Sequence, residues 1–235
     1  MGRPENPVDR TVPARAKLAE YLRARKANAG LTYEQMAQAA AGRPSKATLE
    51  RAASGTSVPS LATVAAFVKA TTTAQERWAN LPQSRALDLW MSARRATRAP
   101  YHVHKTPDPN LIWDVADLSR ALRDQHAWAG YPASGEMERM AGPGRLPRTT
   151  ARRIIQGTAL PINPQQCIAF LYTCYVFDDL ALEAWLAAAA RAYSRPDSGS
   201  SARHLETWID AHITQRQQAF PVLLDSLRGL DGIAG

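Results

Sequence analysis

Apolar residues recur every three or four positions along much of this chain, the spacing expected of helices that bury one face. Residues 14–28 place Leu18 and Leu22 one turn apart between basic residues. Residues 61–70 follow the same period, and a third apolar stripe begins at residue 202. The pattern therefore predicts an all-α protein.

Between the first two of these segments, residues 30–60 read as two short helices joined by a tight turn. Thr32 precedes Met36 and Ala37 as a candidate N-cap, because a hydroxyl accepts hydrogen bonds from free backbone N–H groups. Gly42 and the following Arg43-Pro44 stop this helix.

A second short helix follows, with Ser45 as its candidate N-cap. Leu49, Ala52 and Ala53 form a small apolar underside, and Gly55 ends the helix. The opposite face is polar or small, and consists of Lys46, Ala47, Glu50, Arg51 and Ser54.

The order Leu-Thr-x-x-x-x-Ala, Gly, Ser-Lys-x-Thr-Leu, Arg, Gly and a later Pro resembles the lambda-repressor/Cro-type (XRE family) helix-turn-helix. In that family the second helix enters the major groove with its N-terminal residues on base edges. The resemblance implies DNA contacts by the following residues of this motif: Tyr33, Arg43, Ser45, Lys46, Ala47, Thr48 and Arg51. Tyr33 would lie at the start of the helix that crosses the phosphate backbone. The alternative is an ordinary αα-hairpin with a solvated basic face.

The charge distribution favours a polyanionic partner for the first part of the chain. The formal net charge is +8 with a pI of about 9.9, which suits nucleic acid. Residues 1–105 hold 17 Lys and Arg against 7 Asp and Glu, whereas residues 106–195 hold 9 against 9. Residues 196–235 hold 3 against 5.

The pattern repeats at a shift of about 100 residues. Residues 18–31 resemble 118–131, with Leu18 matched to Leu118 and Gly30 to Gly130. Residues 44–55 then resemble 146–157. We therefore predict a second helix-turn-helix unit of the same type.

The second unit offers its own candidate DNA contacts: Arg145, Arg148, Thr149, Thr150, Arg152 and Arg153. Arginine at the start of such a helix suits guanine, whose O6 and N7 accept a bidentate guanidinium. However, this unit is neutral and its first motif helix is acidic. A dimerisation or ligand-binding module is the alternative.

These observations predict two tandem lambda-repressor-like five-helix domains with a C-terminal helical appendage. The expected segments are a flexible basic arm at 1–13, domain 1 at 14–98, a Pro-rich linker at 99–112, domain 2 at 113–195, a linker at 196–201 and C-terminal helices at 202–229. The apolar stripe of the last segment must be buried, and we expect it to form a homodimer contact.

Little in the chain favours catalysis, and we expect no enzyme activity, cofactor or metal. His102 and His104 form an HxH pair without a third ligand at suitable spacing. His204 and His212 are expected to be structural, and Asp178-Asp179 to cap a helix. Cys167 and Cys174 lie two turns apart in a helical stretch, too far for a disulfide, and we expect them to be reduced.

The sequence therefore predicts a DNA-binding transcriptional regulator, most simply a repressor, that recognises double-stranded DNA with sequence preference. No apolar run is long enough for a membrane span, and we expect a cytoplasmic, nucleoid-associated protein. An adaptor that binds other proteins and has only non-specific DNA affinity is one alternative. A plasmid or phage maintenance factor is another.

Overall fold

Ten α-helices and no strand are present in the residues that the structure, a computed structural model, describes: 5–73, 76, 81–98 and 105–194. The prediction of an all-α protein is confirmed. The chain divides into two compact units, with the boundary after Pro100.

The first unit contains five of these helices: α1 (Pro13–Ala29), α2 (Tyr33–Ala39), α3 (Lys46–Ala52), α4 (Leu61–Thr71) and α5 (Leu81–Arg98). The long helices α1 and α5 pack against each other and on α4. The short helices α2 and α3 pack against each other and on α4. The two motif helices are therefore held on a three-helix support.

The core of the first unit follows from the apolar spacing of its helices. Leu18 and Leu22 of α1, Met36 of α2, Leu49 of α3 and Phe67 of α4 are all at most 1% exposed. Each comes from a different helical turn, so that side chains from four helices fill the centre. Burying side chains of this size contributes roughly 1.5–3 kcal/mol each relative to exposure.

The caps predicted for the motif helices are present. The Thr32 hydroxyl accepts a hydrogen bond from the Gln35 N–H at 3.2 Å, and the Gln35 side chain accepts one from the Thr32 N–H at 2.8 Å. This reciprocal capping box supplies partners for backbone donors that the helix itself leaves free. The Ser45 hydroxyl caps α3.

The N-terminal segment differs from the expected flexible arm. Within the described residues 5–12, the Asp9 N–H donates to the Ser54 carbonyl at 2.8 Å, just beyond α3. Arg10 pairs with Glu20 at 2.8 Å. The chain before α1 therefore packs on the first unit, because it satisfies backbone groups at the end of α3.

The second unit contains a 3-10 turn at Pro109–Leu111 and five helices: α6 (Val115–Trp128), α7 (Ser134–Ala141), α8 (Arg148–Ile155), α9 (Pro164–Thr173) and α10 (Asp179–Tyr193). Helix α6 packs on α8 and α10, α7 packs on α8 and α9, and α9 packs on α10. Leu118, Leu122, Met137, Leu146 and Phe170 are fully buried at its centre. The Asp178 side chain caps α10, as predicted.

Part of the predicted linker at 99–112 belongs to the second unit. Arg191 of α10 donates to the carbonyls of Ile112 and Pro109 at 2.9 and 3.0 Å, and Ile112 is buried. A proline-rich composition suggests a linker, but these carbonyls are the acceptors that a partly buried arginine requires. The second unit therefore begins before residue 113.

Several expectations concern parts of the chain outside the described residues. They include the linker at 196–201, the C-terminal helices at 202–229, and His102, His104, His204 and His212. Cys167 and Cys174 are described, and both are buried and free. Burial raises the pKa of the Cys167 thiol to about 12.

Candidate nucleic-acid interface

Helix α3 presents a continuous polar surface to solvent. Leu49 and Ala52 are buried against the rest of the unit. The exposed side consists of Lys46, Ala47, Glu50 and Arg51, while Thr48 is half-buried. A seven-residue helix with its underside in the core can present its other face to a partner without unfolding.

The polar groups at the start of α3 are linked to one another. The Ser45 Oγ lies 3.4 Å from the Thr48 N and 3.0 Å from the Thr48 Oγ1. Arg51 Nη2 lies 3.5 Å from the same Thr48 oxygen. These contacts order the hydroxyls and the guanidinium on one surface, which reduces the conformational entropy lost when they bind a ligand.

Glu34 of α2 contacts this surface, which the sequence did not suggest. Its Oε2 lies 3.6 Å from the Lys46 Nζ, and both side chains are more than half exposed. Exposed ion pairs contribute only about 0–1 kcal/mol. Lys46 is therefore oriented in the free protein and can exchange Glu34 for another partner at little cost.

The turn between the two motif helices exposes Arg43. Gly42 adopts a left-handed backbone with φ of 76°, and the Arg43–Pro44 peptide is cis. Arg43 is exposed and Pro44 is half-buried. Arg43, Ser45, Lys46, Ala47, Thr48 and Arg51 thus all lie on the turn and the solvent side of α3.

The aromatic ring of Tyr33 does not belong to this surface. It is only 8% exposed, and its ring packs edge-on against Phe67 with centroids 6.2 Å apart. The Lys26 ammonium lies 4.5 Å from the ring centroid. Burial, and then the charge of the hydrogen-bonded Glu5, raise the pKa of the Tyr33 hydroxyl. The ring is therefore part of the core between α2 and α4, while the hydroxyl is hydrogen-bonded to Glu5.

Arg25 is a structural residue, although its place among basic residues suggests a phosphate contact. It is 9% exposed. Its guanidinium donates to the Glu76 carboxylate and to the Thr71 carbonyl, which lies 2.6 Å from Nη2. The Arg25 hydrogen bond, followed by the Thr73 N–H, lowers the pKa of Glu76 to about 2. This cation ties α1 to the end of α4.

Arg23 and Lys26 are also engaged within the unit. Arg23 Nε donates to the Ala53 carbonyl at 2.7 Å and lies 3.3 Å from Glu5 Oε2. Lys26 Nζ lies 2.7 Å from Glu5 Oε1. Their side chains are about one-fifth exposed. Much of the positive charge around the motif is therefore paired in the free protein.

In the second unit, α8 has the same division into two faces. Ala151 and Ile154 are buried. Arg148, Thr149, Arg152 and Arg153 are exposed, and Thr150 is half-buried. Arg145 lies exposed in the preceding turn. Four arginines thus lie on or next to one helix that is anchored by its apolar side.

The acidic helix α7 supports α8 directly. Pro147 precedes α8 and offers no side-chain cap. The Glu138 Oε1 instead accepts the Arg148 N–H at 3.0 Å. Glu136 accepts from the Tyr175 hydroxyl at 3.3 Å. Both carboxylates therefore have structural partners, and one of them lies at the helix start where a DNA phosphate or base would otherwise approach.

Within the described residues, no three His, Cys, Asp or Glu side chains lie together as a metal site. No described helix has the length and apolar character required to cross a membrane.

Comparison with known proteins gives a match within the first unit. No curated protein and no solved structure matches the chain significantly. Residues 17–81 match the family model of a helix-turn-helix domain. This range runs from α1 through α4 and includes both motif helices. Residues 17–81 of this chain therefore form a helix-turn-helix domain.

Proposed function

We propose that this protein binds double-stranded DNA with sequence preference through α3 and acts as a transcriptional regulator of the XRE type. The observation that carries the proposal is the exposed polar face of α3 within a matched helix-turn-helix domain. The first unit also holds the excess of basic residues. Repression by occlusion of a promoter, in the cytoplasm at the nucleoid, is the simplest form of this activity.

In this proposal α3 enters the major groove and its side chains contact base edges. Lys46 and Arg51 are hydrogen-bond donors suited to the O6 and N7 acceptors of guanine. Thr48 can donate or accept, and the methyl group of Ala47 suits the thymine methyl. Arg43, exposed in the turn before α3, would contact a phosphate and set the register without reading sequence.

We further propose that α8 is a second reader and that the chain holds two units of one type. Three parallels support this. Within the described residues each unit has five α-helices of known bounds, Leu18 and Leu118 are both buried, and Gly30 and Gly130 both have positive φ. Because the exposed residues of α3 and α8 differ, the two half-sites would differ in sequence. A perfect palindrome protected by a single chain would contradict this arrangement.

A protein-binding role for the second unit is the competing proposal, and one observation favours it. The exposed large apolar side chains among the described residues are Leu111, Trp113, Ile162 and Leu180, and all four belong to this unit. Exposed apolar residues of this size are common at protein interfaces. The homodimer predicted through residues 202–229 is a separate proposal, and the four exposed apolar side chains do not bear on it.

The experiment that tests DNA reading is selection of bound fragments from a random duplex pool by the full chain, compared with its Lys46→Ala/Arg51→Ala variant. We expect the wild type to select a defined DNA sequence motif. The variant should select a motif with fewer specified base pairs. The affinity ratio between the selected site and competitor DNA should persist as salt rises, because base contacts do not depend on counterion release. If binding to the selected site and to competitor DNA is lost at the same salt concentration, the adaptor alternative replaces this proposal.

A further inference from the structure

The chain that precedes α1 is hydrogen-bonded to the residues that follow α3. The Asp9 N–H donates to the Ser54 carbonyl at 2.8 Å. Gly55 allows this approach, because a Cβ there would lie 2.6 Å from the Asp9 carbonyl oxygen. Arg15 of α1 links the segment to the motif, since its Nη2 donates to the Thr11 hydroxyl and its Nη1 donates to the Thr56 carbonyl, both at 2.9 Å. These contacts hold the N-terminal segment, residues 5–11, against the motif.

At the start of this segment, Glu5 occupies a site made of three donors. Its two carboxylate oxygens lie 2.7 Å from Lys26 Nζ and 3.3 Å from Arg23 Nε. The Tyr33 hydroxyl is also hydrogen-bonded to Glu5. Two cations and a hydroxyl thus converge on one anion. Partial burial raises the pKa of Glu5, but the Lys26 and Tyr33 hydrogen bonds and the Arg23 charge hold it below its ordinary value.

The site borders the proposed DNA-contacting surface. Arg23 donates to the carbonyl of Ala53, the residue that follows α3. Tyr33 precedes Glu34, whose carboxylate is paired with Lys46 at the start of α3. Glu50 on the exposed side of α3 is close enough to affect the Tyr33 hydroxyl electrostatically. An anion bound by Arg23 and Lys26 therefore lies beside α3 rather than on a remote surface.

We infer that Glu5 occupies a phosphate site of the DNA interface in the free protein, and that a backbone phosphate replaces it when α3 enters the groove. The inference rests on the proposed DNA-binding function. A phosphate offers oxygen acceptors to the same Arg23, Lys26 and Tyr33 donors and carries the charge that the two cations require. The Glu5 side chain is about one-third exposed and those of Arg23 and Lys26 about one-fifth, so all three are in contact with solvent and open to exchange of the anion.

This arrangement makes the N-terminal segment an intramolecular competitor of DNA. Because the contested contact is to the sugar–phosphate backbone, it affects binding to every sequence and does not change which bases α3 prefers. Removing the competing carboxylate should strengthen specific and non-specific binding by the same factor.

The test is Glu5→Gln in the full chain, which keeps the shape of the side chain and removes its charge. Glu20→Gln is the matched control, since Glu20 changes net charge equally and is also paired with an arginine of the N-terminal segment, Arg10 at 2.8 Å. We expect Glu5→Gln to bind DNA roughly 3- to 10-fold more tightly, the range of one or two surface ion pairs. Glu20→Gln should differ from the wild type by less than about 2-fold.

A double-mutant cycle with Lys26→Gln completes the test. We expect Lys26→Gln to weaken binding and reduce the salt slope by about 1, as loss of one phosphate contact does. In the Lys26→Gln background, Glu5→Gln should raise the affinity for DNA by less than it does in the wild type, because the phosphate site has lost one of its two cations. Circular dichroism and thermal unfolding establish that each variant folds, and Glu5→Ala replaces Glu5→Gln if the latter does not.

Three outcomes are distinguishable. Absence of DNA binding by the wild type overturns the proposed function and this inference with it. Wild-type binding with no gain, or a loss, in Glu5→Gln overturns the inference alone. An equal gain in Glu5→Gln and Glu20→Gln assigns the effect to net charge and also overturns it.

Discussion

Single charged residues of this chain differ in what they do, although they look alike in the sequence. Arg25 is buried and bonded to Glu76 and the Thr71 carbonyl, whereas Arg51 is exposed on α3. The helical period places residue 25 on the buried side of α1, and a carboxylate and carbonyls far along the chain supply its partners. Of these two arginines, only Arg51 is therefore available to a ligand.

Lys46→Ala and Arg51→Ala should each weaken binding to the selected DNA site by about 1–3 kcal/mol and relax the preference at one base pair. The reason is that each removes a donor from the exposed face of α3 while leaving its buried side unchanged. Lys17→Ala on the exposed side of α1 is the charge-matched control. Equal losses on specific and random duplexes would reassign Lys46 and Arg51 to the phosphate backbone.

The ion pair of Glu76 should make the stability of the first unit decrease as the pH falls. Its pKa in the folded chain is about 2, against an ordinary value of 4.5, because of the Arg25 and Thr73 hydrogen bonds. Its stabilisation is therefore complete above about pH 4.5 and is lost as pH falls through about 2. Urea midpoints of wild type and Glu76→Gln, measured between pH 7 and 2, should converge over this window. A constant difference down to pH 2 would contradict the assignment.

At the scale of elements, both motif helices depend on what surrounds their ends. Thr32 and Ser45 cap α2 and α3 from their own side chains. Helix α8 lacks such a residue and is capped by Glu138 of α7. The end of α3 is covered by the N-terminal segment, which needs Gly55 for its close approach.

Gly55→Ala should destabilise the first unit more than Gly30→Ala does. Both glycines have positive φ, which costs other residues roughly 1–2 kcal/mol. At Gly30 no atom lies within 4 Å of an added Cβ, whereas at Gly55 the Asp9 carbonyl lies at 2.6 Å. Urea unfolding of the two variants compares strain alone with strain plus a clash. Equal losses would mean that the N-terminal segment moves away freely.

The whole molecule consists of two units with different surfaces. The first carries the basic charge and the matched helix-turn-helix domain. The second is neutral, exposes four arginines on and near α8, and also exposes Trp113 and Ile162. Whether the second unit contacts DNA bases or binds another protein is therefore best tested with the full chain.

Arg148→Ala/Arg152→Ala in the full chain should shorten the motif selected from random DNA to the part read by α3. This follows if α8 contacts bases, because the two substitutions remove guanidinium groups without affecting Ala151 and Ile154 beneath them. Arg120→Ala/Arg139→Ala, two arginines on other helices of the same unit, is the control. An unchanged motif with the α8 variant would favour the protein-binding alternative.

The sequence by itself determined the all-α class, the two motif helices of the first unit with their caps, and the polar face of α3. These features depend on contacts within a few residues, which the helical period and the capping residues specify locally. For the same reason, the Leu18, Leu22 and Leu49 core positions follow from spacing alone.

The tertiary structure alone decided which polar residues are available for binding. The Tyr33 ring and Arg25 are buried, although their places beside the motif suggest contact with DNA. Glu5 pairs with Lys26, Glu34 pairs with Lys46, and Glu138 accepts the Arg148 N–H, and the sequence pattern singled out none of these three carboxylates. Arg25 and Glu76 are 51 residues apart, and Glu5 and Lys26 are 21 apart. A local pattern carries no information on such pairs, because ion pairing depends on distance in space, and that distance exists only after the helices pack.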